Sequence, residues 1–184
     1  SASYKRQFLI GNLVVALLTA LVPMLVAVFE WAALYRHYVV SVTDLPDLSL
    51  IFGWVGGFSI FAFLTTLTRE IIKDIEDFEG DMAYGRNTVP VITGIPASKI
   101  IVASISIITI ALLYFVWYRY LHDRITLVYL SAVIVLPHLY VLFQLFRSRN
   151  RKELHSASNF MKIIMFGGIL YSLVVKAILT LNLI

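Results

Sequence analysis

The sequence contains no cysteine, and only 14% of its 184 residues are charged. The lack of cysteine excludes disulfides, thiolate metal sites and a cysteine nucleophile. The scarcity of charge leaves too little polar surface to cover a globular core in water, because 60% of the residues are hydrophobic and the mean hydropathy is +0.86. The composition therefore predicts an integral membrane protein.

Five apolar segments are long enough to cross a hydrocarbon core as helices, which takes about 20 residues each. They exceed the roughly ten residues of a transmembrane strand and lack its strict alternation. The predicted fold class is therefore an all-α integral membrane protein, with helices at 8–34, 48–68, 100–118, 125–146 and 160–181. The last segment has a short uncharged centre between Lys162 and Lys176, so we expect both lysines to extend towards opposite interfaces.

Lysine and arginine are concentrated at alternate ends of these segments. Most of the 15 basic residues lie before the first segment, in the second-to-third connection and around the fourth-to-fifth connection. Basic residues favour the cytoplasmic side of a membrane, which predicts a cytoplasmic N-terminal end and, after five crossings, an external C-terminus. The connection at 69–96 is therefore predicted to be cytoplasmic.

That connection begins with REIIKDIEDFEGDMAYGRNTVP, at positions 69–90. If the second helix continues past Thr68, four of its acidic residues share one face, because they are spaced by four, three and four positions. These residues are Glu70, Asp74, Asp77 and Asp81. Like charges at such spacings repel, and no neighbouring run of bases looks large enough to neutralise them.

A divalent cation with oxygen ligands, above all magnesium (Mg²⁺), would suit this acidic face. Mg²⁺ commonly binds one or two carboxylates together with substrate phosphates, so the pattern predicts a phosphorylated substrate. Arg69 and Lys73 lie beside the acids and are expected to contact phosphate oxygens. A charge run between membrane helices is more often a solvated loop, and the spacing alone leaves that alternative open.

The run R-E-I-I-K-D-I-E-D-F-E-G-D, followed by G-R-N-T-V-P, closely resembles the second aspartate-rich motif of the UbiA-type intramembrane prenyltransferases. The sequence of this run is most similar to the geranylgeranylglycerol-phosphate geranylgeranyltransferase branch of the family. The start, S-A-S-Y-K-R-Q-F-L-I-G-N, resembles a family segment in which Lys5 corresponds to a diphosphate-binding lysine. The resemblance implies that the five helices correspond to helices five to nine of a nine-helix bundle.

The resemblance implies Mg²⁺-dependent transfer of a prenyl group from a prenyl diphosphate to a lipophilic acceptor, with release of diphosphate. A glycerol-phosphate ether lipid is the favoured acceptor, and an aromatic quinone or chlorophyll-type acceptor is the alternative. The implied partners also include membrane lipid, but no nucleic acid. By position in the motif, Asp77 and Asp81 are the expected principal metal ligands, and Asp74 is expected to be a further ligand or a carboxylate on the acceptor side. All three are expected to be catalytic residues. The expected diphosphate-binding residues are Lys5, Arg69 and Lys73.

Family members also carry a first aspartate-rich motif, N-D-x-x-D-x-x-x-D, which this sequence does not contain. We therefore expect residues 1–184 to be the C-terminal part of a single prenyltransferase domain whose N-terminal helices are missing here, and to be inactive alone. The other reading is a non-catalytic membrane subunit or carrier. Two glycine pairs, Gly56–Gly57 and Gly167–Gly168, are expected to permit close helix packing.

Overall fold

The computed structural model describes residues 9–41 and 48–180, and all regular structure within these ranges is helical. Five helical stretches in the described ranges are long and apolar enough to cross a membrane. They are Ile10–Ala33, Ile51–Glu76, Ile95–Leu121, Arg124–Arg147 and Arg151–Ile178. The prediction of an all-α fold with five membrane-spanning helices is confirmed.

The helices follow one another with short connections. They are α1 (Ile10–Ser41), α2 (Leu48–Glu76), α3 (Phe78–Ala83), α4 (Val89–Thr93), α5 (Ile95–Val116), α6 (Arg124–Tyr129), α7 (Leu136–Arg147) and α8 (Arg151–Thr180). Two π-helical stretches, Trp117–Leu121 and Leu130–Val135, extend α5 and join α6 to α7. The second precedes Pro137, which has no backbone N–H to donate to the preceding turn, and this accounts for the widened helix at that point.

Helix α1 continues past its predicted end to Ser41 and α5 begins early at Ile95, but the two largest extensions are those of α2 and α8. α2 continues to Glu76, and α8 begins at Arg151 rather than near residue 160. Hydropathy detects only the part of a helix that lies in hydrocarbon, whereas these added turns are polar. They remain helical while their side chains contact each other across the bundle, as in the hydrogen bond between His155 Nδ1 and Glu76 Oε1 at 2.9 Å.

Helix α2 is central to the packing, since it contacts α1, α5 and α8. Its buried residues Ile71 and Ile72 belong to a core that also contains Val102 of α5, Val141 of α7 and Met161 of α8. The charged C-terminal end of α2 is thereby held between the start of α1 and the start of α8. This arrangement positions the acidic residues.

The second glycine pair lies where helices pack closely. A Cβ atom on Gly167 would lie 2.9 Å from Val133 Cγ1, and one on Gly168 would lie 2.9 Å from Phe61 Cδ1 and closer still to Cε1. Among the described residues, nothing lies within 4 Å of a Cβ placed on Gly56 or Gly57. The expectation of close packing is confirmed for Gly167–Gly168 and wrong for Gly56–Gly57.

Candidate active site at the junction of α2 and α3

Asp77 separates α2 from α3 and interrupts the helix by a single residue. Its backbone angles are φ −95° and ψ 10°, and its side chain does not cap α3. The backbone still follows a helical hydrogen-bonding pattern, because Asp77 N donates to Lys73 O and Asp81 N donates to Asp77 O, both at 2.9 Å. The second helix thus does continue past Thr68, as the spacing argument required, and the break at Asp77 preserves its register.

The preserved register brings the predicted acidic residues into one cavity of about 250 Å³, called here the carboxylate cavity. Its acidic lining residues are Glu70, Asp74, Asp77 and Asp81. The start of α1 and the segment before α4 complete its wall with Leu9, Gly11, Asn12, Val15, Lys73, Arg86, Asn87 and Thr88. The spacing of the acids in sequence thus corresponds to a shared site in the structure.

Three of these four carboxylates have a basic partner. Arg69 Nη1 and Lys73 Nζ donate to the two oxygens of Glu70, at 2.7 Å and 3.0 Å. Arg86 Nη1 donates to Asp81 Oδ1 at 3.0 Å, and the Asp81 side chain is only 6% exposed. The expectation that no neighbouring bases would neutralise the acids is wrong.

Arg151 is the basic partner of the third carboxylate. It lies on the first turn of α8, and its Nη2 donates to Asp77 Oδ1. With the contact between His155 and Glu76, this pair ties the start of α8 to the end of α2. A second cavity of about 210 Å³ lies beside this contact, and Asp77 borders both cavities.

Asp74 differs from the other three. Its Oδ2 accepts a hydrogen bond of 2.6 Å from Asn12 Nδ2 of α1. Among the residues that the structure describes, no lysine or arginine forms an ion pair with it. Asp74 is partly buried, and it is therefore the carboxylate in the cavity whose negative charge an added cation would stabilise most.

The chemistry of the cavity suits Mg²⁺. Within the described ranges, no group of three histidine, aspartate or glutamate side chains is close enough to hold a metal ion by itself. Mg²⁺ does not need such a group, because it retains several waters and usually takes one or two carboxylates plus substrate phosphates. Asp74 with Asp77 or Asp81 supplies that number of carboxylates. Magnesium binding by these residues stays a prediction.

The predicted diphosphate-binding residues lie in different places. Lys73 lines the carboxylate cavity, and Arg69 pairs with Glu70 beside it. Lys5 lies outside the described residues. Asn12 and Arg86 were not among the predicted site residues, although the G-N pair and the G-R-N-T-V-P segment that contain them were signals in the sequence.

Exchanging Arg151 for glutamine is expected to lower the free energy of unfolding by less than about 1 kcal/mol, because exposed ion pairs contribute little. The two side chains are 72% and 48% exposed. Thermal unfolding in detergent would measure the effect, with Lys152→Gln as a control that removes the same charge from the same turn. A loss several times that of the control would show that the pair is needed to hold α8 in place.

Comparisons with a family model and with individual proteins point to the same family. The family model described as the UbiA prenyltransferase family matches residues 2–173. The digeranylgeranylglyceryl phosphate synthase of Methanosphaera stadtmanae is 34% identical over 161 residues, covering 86% of this chain and 51% of that protein. The protein of the same name from Thermococcus kodakarensis is 31% identical over 170 residues, covering 92% of this chain and 53% of that protein.

The chain thus spans about half the length of these curated relatives. No solved structure matches it significantly. The family match extends over nearly the whole chain, from α1 into α8, and includes the carboxylate cavity. With its five apolar helices the chain is a multi-pass membrane protein, and it belongs to the UbiA prenyltransferase family.

Proposed function

We propose that the protein containing this chain transfers a prenyl group from a prenyl diphosphate to the hydroxyl of a glycerol-phosphate ether lipid. The bond between the prenyl carbon and the diphosphate breaks, the acceptor oxygen bonds to that carbon, and diphosphate and the hydroxyl proton leave. Family membership and the names of the two relatives support this proposal. The observation that carries it is the carboxylate cavity at one end of an apolar bundle, in which Asp74 has no basic partner among the described residues.

Asp74, Asp77 and Asp81 are the proposed metal ligands and catalytic residues. Bound Mg²⁺ would neutralise the negative charge that develops on the departing diphosphate. The chain's own hydrogen bonds prepare two of the carboxylates for this role, since Asn12 orients Asp74 and Arg86 orients Asp81. Asp77 borders the cavity at the helix break, where its contact with Arg151 competes with metal binding.

The bases near the cavity are proposed to stabilise the diphosphate directly. Lys73 lines the cavity and its ammonium group is held by Glu70, so a short side-chain rotation would exchange the carboxylate for a phosphate oxygen. Arg69 donates to the same Glu70 carboxylate. It would keep Glu70 paired when Lys73 turns to the phosphate, or contact the phosphate as well. Lys5 is proposed to contribute a further positive charge, as its position in the family segment implies. Such fixed charges lower the barrier because they stabilise the leaving group as it forms.

The membrane supplies the environment for the lipid parts of both substrates. Val15 of α1 is an apolar residue that lines the cavity together with the carboxylates. The prenyl chain and the acceptor's hydrocarbon would extend from there along the membrane-spanning helices. A water-poor surrounding limits hydrolysis of a reactive allylic centre. The concentration of basic residues on this side of the helices supports a cytoplasmic position for the cavity.

The proposal is tested by incubating the full-length protein, in lipid vesicles, with a labelled prenyl diphosphate. The acceptor is either a glycerol-phosphate ether lipid or an aromatic compound of the quinone-precursor type. We expect labelled ether lipid in the presence of Mg²⁺ and none when the metal is chelated. Transfer only to an aromatic acceptor would replace the proposed substrate by the alternative one. Binding of the prenyl diphosphate without transfer to either acceptor would instead support a non-catalytic subunit or carrier.

A further inference from the structure

The hydroxyl of Thr88 is buried and has no hydrogen-bond partner among the described residues. Thr88 is the N-cap residue of α4, with the extended backbone usual for that position (φ −79°, ψ 166°). An N-cap threonine normally accepts a hydrogen bond from the backbone N–H of the second or third helical residue. Here the second residue is Pro90, which has no N–H, and the side chain makes no cap bond to the third.

The backbone around Thr88 is fixed on both sides. Arg86 N donates to Asp81 O at 2.9 Å, and Ile92 N donates to Thr88 O at 3.1 Å. The next two residues, Val89 and Pro90, are buried. The backbone that carries the unsatisfied hydroxyl is therefore held in position by its neighbours.

Thr88 also lines the carboxylate cavity, together with Asp74 and Asp81. A buried hydroxyl without a partner is unfavourable, and because Thr88 borders this cavity, a ligand bound there is the partner nearest to hand. Asp74 has no cationic partner among the described residues, and the Thr88 hydroxyl has a proton to donate to an acceptor oxygen. A ligand that brings both a cation and acceptor oxygens, such as a magnesium diphosphate, would satisfy all of these groups together.

We propose that Thr88 Oγ1 donates a hydrogen bond to a phosphate oxygen of the diphosphate bound in the carboxylate cavity. This inference rests on the proposed function and adds a substrate-binding residue to it. The role requires the hydroxyl but not the methyl group of Thr88. It also implies that the hydroxyl contributes nothing to the stability of the ligand-free protein.

The test uses the full-length protein in detergent, with inorganic pyrophosphate and Mg²⁺ as the probe. We expect Thr88→Val, which keeps the shape and removes the hydroxyl, to raise the Kd measured by calorimetry about tenfold or more, because hydrogen bonds to charged groups are the stronger ones. Thr88→Ser should stay within about threefold of the wild type. The ligand-free Tm of Thr88→Val should be unchanged or higher.

Thr93→Val is the matched control, because the Thr93 hydroxyl donates to Val89 O at 2.9 Å and is thus already used within α4. It should lower Tm and leave the Kd unchanged. Equal pyrophosphate binding by the wild type and Thr88→Val would overturn the Thr88 inference alone, as would a lower ligand-free Tm in Thr88→Val. A wild-type protein that binds no pyrophosphate with Mg²⁺ would overturn the proposed function as well.

Discussion

Asp74→Asn is expected to reduce kcat/KM for prenyl transfer by a factor of about 10² to 10³, comparable to the loss of one preorganised electrostatic contact in other enzymes. Asp74 is the carboxylate in the cavity for which the structure shows an amide partner, Asn12, and no basic one among the described residues. Its removal should therefore weaken metal binding without breaking an ion pair. Steady-state kinetics across a range of Mg²⁺ concentrations would measure the effect.

The same substitution should leave the fold intact, or stabilise it, because it removes a partly buried negative charge that shares a cavity with Glu70 and Asp81. Glu79→Gln is the matched control: it removes a charge from the same acidic run, but from an exposed side chain that lines the second cavity. We expect it to change kcat/KM by less than about twofold. Similar losses in both variants would show that overall charge, rather than Asp74 itself, matters.

Gly168→Ala should lower the free energy of unfolding by about 1–3 kcal/mol, the usual cost of overpacking. A Cβ at this position would lie 2.9 Å from Cδ1 and 3.0 Å from Cζ of the Phe61 ring, which packs between α2 and α8. The ring would have to rotate or the helices separate. Unfolding in mixed detergent micelles, followed by circular dichroism, would measure the loss.

Gly57→Ala is the control for this prediction, since it adds the same methyl group within α2. Among the described residues nothing lies within 4 Å of the new atom. Alanine is favoured over glycine in a helix interior by about 1 kcal/mol, so this variant should be as stable as the wild type or more stable. Equal losses in the two variants would mean that the close contact between Gly168 and Phe61 does not limit the packing.

The membrane-spanning part of the fold could be predicted from the sequence because length and hydropathy are local properties. The ends of the helices could not be predicted from these local properties. The turns up to Glu76 and from Arg151 onwards are polar, and their helical structure brings together residues far apart in the chain, as in the hydrogen bond between His155 and Glu76. Likewise, the sequence could not distinguish Gly168, whose added Cβ would contact a ring on another helix, from Gly57, around which the described residues leave open space.

The shared position of the acidic residues could be predicted because their spacing follows the helical repeat. Their partners could not, since Asn12 and Arg151 reach Asp74 and Asp77 from 62 and 74 positions away. Arg86 is only five positions from Asp81, but it reaches back through a turn in which Gly85 adopts a φ of 63°. Helix periodicity does not describe such a turn.

The measurement that tests the central claim most directly is diphosphate release from a prenyl diphosphate by the full-length protein, with and without Mg²⁺. It compares the wild type with a folded variant carrying both Asp74→Asn and Asp81→Asn. We expect wild-type release to require Mg²⁺, to increase when a glycerol-phosphate ether lipid acceptor is added, and to fall to background in the double variant. Undiminished release by the double variant, or by the wild type after chelation of the metal, would contradict a magnesium-dependent role for the carboxylate cavity.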